Sequence, residues 1–183
     1  MSNIQKILLI RHGETEKDKS NPSRGLTEKG ISQIRLVSKV IRPFISSNTQ
    51  ILSSDTNRAK QTAQIIGETL SIKDLHVLPL RILGAENIRG IMRENEKKHI
   101  RLAKTYLSLE NYKELNIESP IELAKRWTKE LNSINAKTLI VVGHEASLEA
   151  FLYNQKVFKL VCKSFKTYFD YGDWAYLIAS KLV

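Results

Sequence analysis

A lone cysteine, Cys162, leaves this chain without an internal disulfide framework and suits a reducing compartment. Its thiol reads as a small buried apolar group. No apolar run approaches the roughly eighteen residues of a membrane span, so no membrane association is expected. The opening MSNIQK leads straight into an apolar segment and leaves no room there for a secretion signal, which predicts a cytoplasmic location. Repeats, low-complexity tracts and linkers are missing. So are the glycine-lysine-serine/threonine phosphate loop and the dinucleotide glycine fingerprint. Acidic residues are in deficit, 19 against 29 basic ones, for a formal charge of +10. That field would draw anionic partners. The basic residues are scattered, however, with no run of five and no arginine-aromatic repeat. They read as a solvated lysine-rich surface, and no nucleic-acid partner is expected.

What remains is a chain of 183 residues, 42% apolar, long enough for one domain over residues 1–183 with a substantial core. Apolar runs of strand type at Ile7–Ile10, Gln50–Ser53, His76–Pro79, Thr138–Val142 and Trp174–Ser180 alternate with segments of helical periodicity. Thr27 reads as an N-cap, followed by Ile31, Ile34, Val37, Val40 and Ile41 at helical spacing up to Pro43. A second helix is predicted over Arg58–Leu70, a third over Met92–Leu109 and a fifth over Ala146–Tyr153. Between the last two, Ser119-Pro120-Ile121-Glu122 carries a cap, a proline at the first helical position and a glutamate three after the cap, and starts the fourth. Lys156–Lys166 reads as an edge segment packed on a sheet. Such alternation predicts an α/β fold, a three-layer α/β/α sandwich with a largely parallel central sheet.

The chemistry-bearing residues sit at strand ends. Ile7–Ile10 stops at Arg11-His12-Gly13, and Thr138–Val142 stops at Gly143-His144-Glu145. Of only four histidines, two follow the two strongest apolar strands in the same way. The C-terminal edge of an open α/β sheet is where ligands bind, and parallel neighbouring strands would bring both histidines to one pocket there. Arg11 offers a planar fork suited to phosphate, and Gly13 would let the backbone come close to a bound group. Arg58 falls in the first turn of a helix that follows a strand, beside backbone N–H groups that favour anions. The plain alternatives are a polar surface loop for His12 and a surface arginine for Arg58. Metal binding by His12 and His144 is not favoured, since neither has a ligand partner at the usual spacing, although Glu14 and Glu145 stand near. His99 reads as a solvent-facing residue of the third helix.

Arg11-His12-Gly13-Glu14-Thr15, Leu26-Thr27-Glu28-Lys29-Gly30, Ser53-Ser54 with Arg58-Ala59-Lys60-Gln61-Thr62-Ala63, Glu118-Ser119 and Val142-Gly143-His144-Glu145 together resemble the histidine phosphatase superfamily, the phosphoglycerate mutase-like group. The likeness runs in order from about residue 5 to residue 153. It implies a metal-independent phosphatase that needs no cofactor, with His12 as nucleophile and Arg11, Arg58 and His144 around the phosphoryl oxygens. The substrate would be a phosphorylated small molecule or a phosphoprotein. One departure stands out. Many members carry a glutamate that protonates the leaving alcohol, and Ile82 occupies that position here; Glu86, four residues on, is the nearest carboxylate and the candidate substitute. The bacterial phosphohistidine phosphatases of the family lack that glutamate and have an arginine before the Leu-Thr pair, as Arg24 stands before Leu26-Thr27. Arg24 is therefore a candidate phosphate ligand. Glu118-Ser119 resembles the broader phosphatase branch instead. A non-catalytic phosphate-binding module remains an alternative, and a mutase a weaker one. Oligomeric state is not readable.

Overall fold

The computed structural model describes residues 3–16, 21, 23–165 and 169–180. The polar segment 16–24 that follows the first apolar run therefore lies partly outside the described residues, at 17–20 and 22, and so does residue 166 of the tail.

The elements follow the alternation read from the sequence: β1 (Lys6–Arg11), α1 (Glu28–Ile41), β2 (Thr49–Ser54), α2 (Asn57–Leu70), β3 (Leu75–Leu78), α3 (Arg89–Lys97), α4 (Leu102–Leu107), α5 (Pro120–Asn132), β4 (Thr138–Gly143), α6 (Glu145–Asn154), β5 (Phe158–Lys163) and β6 (Trp174–Ala179). They build a six-stranded sheet in the order β3-β2-β4-β1-β6-β5. The four strands from β3 to β1 are parallel, and β6 runs antiparallel to both β1 and β5. The tail predicted to be an edge segment is indeed the edge strand β5. Cys162 lies on it and is half-buried rather than buried.

The continuous apolar character of β1 and β4 follows from burial on both faces. Ile7 and Leu9 of β1, with Leu139 and Val141 of β4, join Tyr106, Leu123, Trp127, Leu148 and Phe151 from α4, α5 and α6 in one core. The alternate residues Leu8, Ile10, Ile140 and Val142 join Ile34, Ala59, Ala63 and Ile66 from α1 and α2 in the other. Two helical layers thus sandwich one sheet. Among the described residues no helix is long and apolar enough to cross a membrane.

Caps start the helices where expected. The Thr27 hydroxyl accepts from the Gly30 N–H, and Ser119 with Glu122 forms a complete capping box. One predicted helix is divided. Met92–Leu109 was expected to be continuous, but α3 ends at Lys97 and α4 starts at Leu102. His99 adopts φ 58° and the Ile100 N–H bonds back to the Asn95 carbonyl at 2.9 Å. A left-handed residue followed by this six-to-one bond is the closure that stops a helix and satisfies its last carbonyls. A histidine in place of the usual glycine hides that stop from a reading of the sequence. Between β3 and α3 the chain forms a 3-10 turn at Ala85–Ile88.

Candidate active site

Parallel pairing of β1 with β4 places Arg11 opposite Gly143, and the His12 N–H donates to the Gly143 carbonyl at 3.2 Å. Both histidines therefore leave the sheet at the same edge, as expected if these strands are neighbours. Their rings meet edge to face with centroids 5.2 Å apart. A cavity of about 510 Å³ opens over them, lined by Arg11, Arg24, Arg58 and Arg81 among others.

His12 is held in one protonation state. Its Nδ1 lies 2.9 Å from the Gly13 carbonyl oxygen, which can only accept, so the proton is on Nδ1. The Nε2 lone pair is left toward the cavity side and accepts from Nε of Arg58 at 3.2 Å. Burial, opposed by the Gly13 bond and reinforced by the charges of Arg58, Arg11 and Arg24, lowers the His12 pKa to about 3. Burial likewise holds His144 well below the usual imidazole range, with His12 and Arg58 adding to it. Nε2 of His144 is 3.0 Å from the Ser54 hydroxyl and 3.5 Å from that of Thr56. Strand β2 and the cap of α2 thereby orient the second imidazole.

The guanidinium groups are crowded. Burial first and the charge of Arg24 next lower Arg58 to about 10. Arg11 donates through Nη1 to Glu145 and to the Phe169 carbonyl, both at 2.9 Å. Its buried Nε has no hydrogen-bond partner among the described residues. Arg81 is paired with Asp55 at 2.7 Å.

Gly13 has a different place from the one expected. It is not among the cavity-lining residues; its N–H bonds the Thr62 hydroxyl. A Cβ there would sit 2.8 Å from the Gly30 carbonyl and 3.0 Å from Ile34, so glycine is needed for the close approach to α1 rather than to a bound group. Glu86 is also not brought in. It is exposed on the 3-10 turn, while Ile82 and Ala85 face the cavity in its stead. Glu14 turns to Thr27 and Lys29 of the α1 start. Among the described residues no group of three metal-ligating side chains is assembled.

Several site residues were missed. Glu145 is buried and joins Arg11 to Arg101, which donates to it at 3.0 Å and to the Phe169 carbonyl at 2.6 Å. Tyr171 lays its ring 4.3 Å from the Arg11 guanidinium carbon and 5.6 Å from the His12 ring. Its segment is secured by Gly172, whose N–H donates to the His12 carbonyl at 3.4 Å. Glycine between two aspartates marks that turn in the sequence, but nothing local says it folds back onto β1. His99, expected to face solvent, is exposed yet stands on the cavity rim.

Comparisons with known proteins agree with this architecture. A protein named probable phosphoglycerate mutase GpmB from Photorhabdus laumondii is 33% identical over 101 residues, which cover 50% of this chain and 46% of that protein. Its counterpart from Yersinia pestis is 38% identical over 71 residues, 36% of this chain and 32% of that protein. The chain thus spans less than half the length of these relatives. The solved structure of the protein histidine phosphatase SixA complexed with tungstate matches with a TM-score of 0.51 at 18% identity, over 80% of this chain and 74% of that one. Mycobacterial glucosyl-3-phosphoglycerate phosphatase matches with a TM-score of 0.56 at 18% identity, over 81% and 77%. At such identities the structural likeness is one of fold. The family model of the histidine phosphatase superfamily (branch 1) matches residues 7–157, and the chain belongs to that family.

Proposed function

We propose that this protein is a metal-independent phosphatase that works through a covalent phospho-His12. The observation that carries the reading is the His12 ring itself, with Nδ1–H on the Gly13 carbonyl and the Nε2 lone pair held beside Arg58. A buried imidazole kept neutral is a nucleophile without needing a separate base. In the first step the Nε2 lone pair forms a bond to phosphorus, and the bond from phosphorus to the leaving group breaks with its electron pair on the leaving atom. In the second, water attacks phosphorus and the P–N bond returns its pair to Nε2, one water proton passing to solvent. Arg11, Arg58 and His144 hold the phosphoryl oxygens as charge builds on them, and Arg24 is an additional anion ligand at the cavity wall.

Leaving-group protonation is where this site differs from the family's glutamate-bearing members. Ile82 lines the cavity, and of the lining carboxylates Glu145 is engaged by two arginines and Asp170 lies 3.7 Å from Arg11. General acid assistance typically contributes ~10²–10⁴-fold, and a site without it favours phosphates that depart unassisted. A phosphohistidine fits that requirement, because its ring can take a proton from solvent. An activated phosphomonoester fits it equally.

The test is phosphate release from 4-nitrophenyl phosphate by wild type and His12→Ala, each with and without chelator. Release that resists chelator and is lost in the variant supports the mechanism. Equal rates in the two proteins, or no release from either, would favour a non-catalytic phosphate-binding module of the same fold.

A further inference from the structure

The cavity has two chemically distinct parts. Around His12 it is cationic. Elsewhere its apolar lining is Ala146 of α6 together with Ile82, Ala85, Met92, Ile100 and Leu102, these five half-buried and all from the one excursion of the chain between β3 and α5. At about 510 Å³ it lies within the ~300–1,000 Å³ typical of small-molecule sites, far more than a phosphoryl group fills.

Among the polar groups interspersed in the apolar part, two arginines are already engaged, and His99 stands exposed at the rim. Arg81 pairs with Asp55, and Arg101 with Glu145 and the Phe169 carbonyl. Against Ile82, Met92, Ile100 and Leu102 a hydroxylated or carboxylated leaving group would meet methyl and methylene groups where it needs hydrogen bonds, which is unfavourable. A flat apolar ring meets no such penalty, and Tyr171 offers it an aromatic neighbour beside His12. Ile82 contributes twice: it removes the acid and extends the apolar surface.

Resting on the phosphatase reading above, we propose that this apolar wall is a leaving-group subsite, and that the substrate carries its phosphoryl group on a flat, weakly basic aromatic ring. Met92, in α3, and Ile100, in the break between α3 and α4, are the specificity-determining side chains.

The experiment compares kcat/KM for 4-nitrophenyl phosphate with that for acetyl phosphate. Acetate is the less basic leaving group of the two, so leaving ability alone favours acetyl phosphate. Wild type is expected to prefer the aryl substrate by roughly tenfold or more, and Met92→Ser and Ile100→Ser are each expected to reduce that ratio about tenfold. A wild-type preference for acetyl phosphate, or a ratio that neither substitution moves, overturns the proposal. N-phosphohistidine, free and within a peptide, distinguishes a small metabolite from a protein side chain as the source of the ring; hydrolysis of both no faster than of acetyl phosphate also overturns it. Binding of phenylphosphonate against methylphosphonate tests the wall without turnover. A tenfold tighter phenyl compound supports the subsite even if His12→Ala shows the covalent mechanism to be wrong, and equal binding overturns the subsite even if that mechanism stands.

Discussion

Nε of Arg58 donates to Nε2 of His12 across 3.2 Å, so the first turn of α2 holds the lone pair at the end of β1. This bond joins two elements that are separated by all of α1 and β2. It keeps the imidazole oriented and puts a cation where phosphoryl oxygens would arrive. The guanidinium must release Nε2 as phosphorus approaches, and its other donors are suited to take up the oxygens.

Arg58→Ala is accordingly expected to lower kcat for 4-nitrophenyl phosphate by ~10²–10³-fold, the usual loss for one fixed donor on a developing anion. Arg58→Lys should recover little of it, because an ammonium cannot present the same fork. Steady-state kinetics on the three proteins checks this, and a lysine variant with near-wild-type kcat would contradict the role.

Glu145 is the buried carboxylate that ties Arg11 to Arg101. Removing one partner of such a group leaves uncompensated charge behind, at a cost of about 3 kcal/mol. Glu145→Ala should lower the urea midpoint accordingly and also reduce kcat, since Arg11 loses its anchor. Unchanged stability would mean that water replaces the carboxylate without loss.

Glu149 is fully buried on α6, where its Oε1 accepts from the Phe169 N–H at 2.6 Å, and burial raises its pKa to about 7. Glu145 adds to that rise, while the Phe169 bond, Lys163 and Arg101 oppose it. The folded state therefore keeps a proton that the unfolded state loses near pH 4.5, and stability falls as pH rises from about 4.5 to 7. His12 has the opposite sign. Its pKa is depressed from 6.5 to about 3, so its contribution is complete above pH 6.5 and is lost as pH falls toward 3. Glu149→Gln should remove only the first effect, gaining about 2 kcal/mol relative to wild type between pH 5 and pH 8. Thermal unfolding of both proteins across that range reads the difference directly, and parallel curves would show that Glu149 does not titrate there.

Ile82→Glu places a carboxyl group on the wall where many family members carry their acid. For an alkyl phosphate such as glycerol phosphate, kcat/KM is expected to rise by up to ~10²-fold and to fall again on the basic side as the new acid ionises. No gain with a folded protein would indicate that protonation is not what limits poor leaving groups here.

Much of the fold was legible because its signals are local. The buried runs Ile7–Ile10 and Thr138–Val142, the Thr27 cap and the Ser119–Glu122 box each specify an element within a few residues. His12, His144, Arg11 and Arg58 were legible for the same reason, being attached to strand ends or a helix start. The interruption at His99 was not, because a left-handed histidine depends on the packing around it. Glu86 is near Ile82 in sequence, but the 3-10 turn at Ala85–Ile88 leaves it exposed. The place of Gly13 at a strand end suggests a ligand contact, whereas its missing side chain serves the contact with Gly30.

The amino-acid sequence alone determined the α/β alternation, the strand-end histidines and the cationic character of the site, because these depend on periodicity and on residues adjacent in the chain. Tertiary structure decided which way each polar group is spent. The β1–β4 pairing brings His12 to His144, and the return of residues 169–173 brings Tyr171 to Arg11. Glu145 meets Arg101, which lies in the break between α3 and α4. Each of these contacts joins residues far apart in sequence, so its free energy depends on the packing of both layers against the sheet.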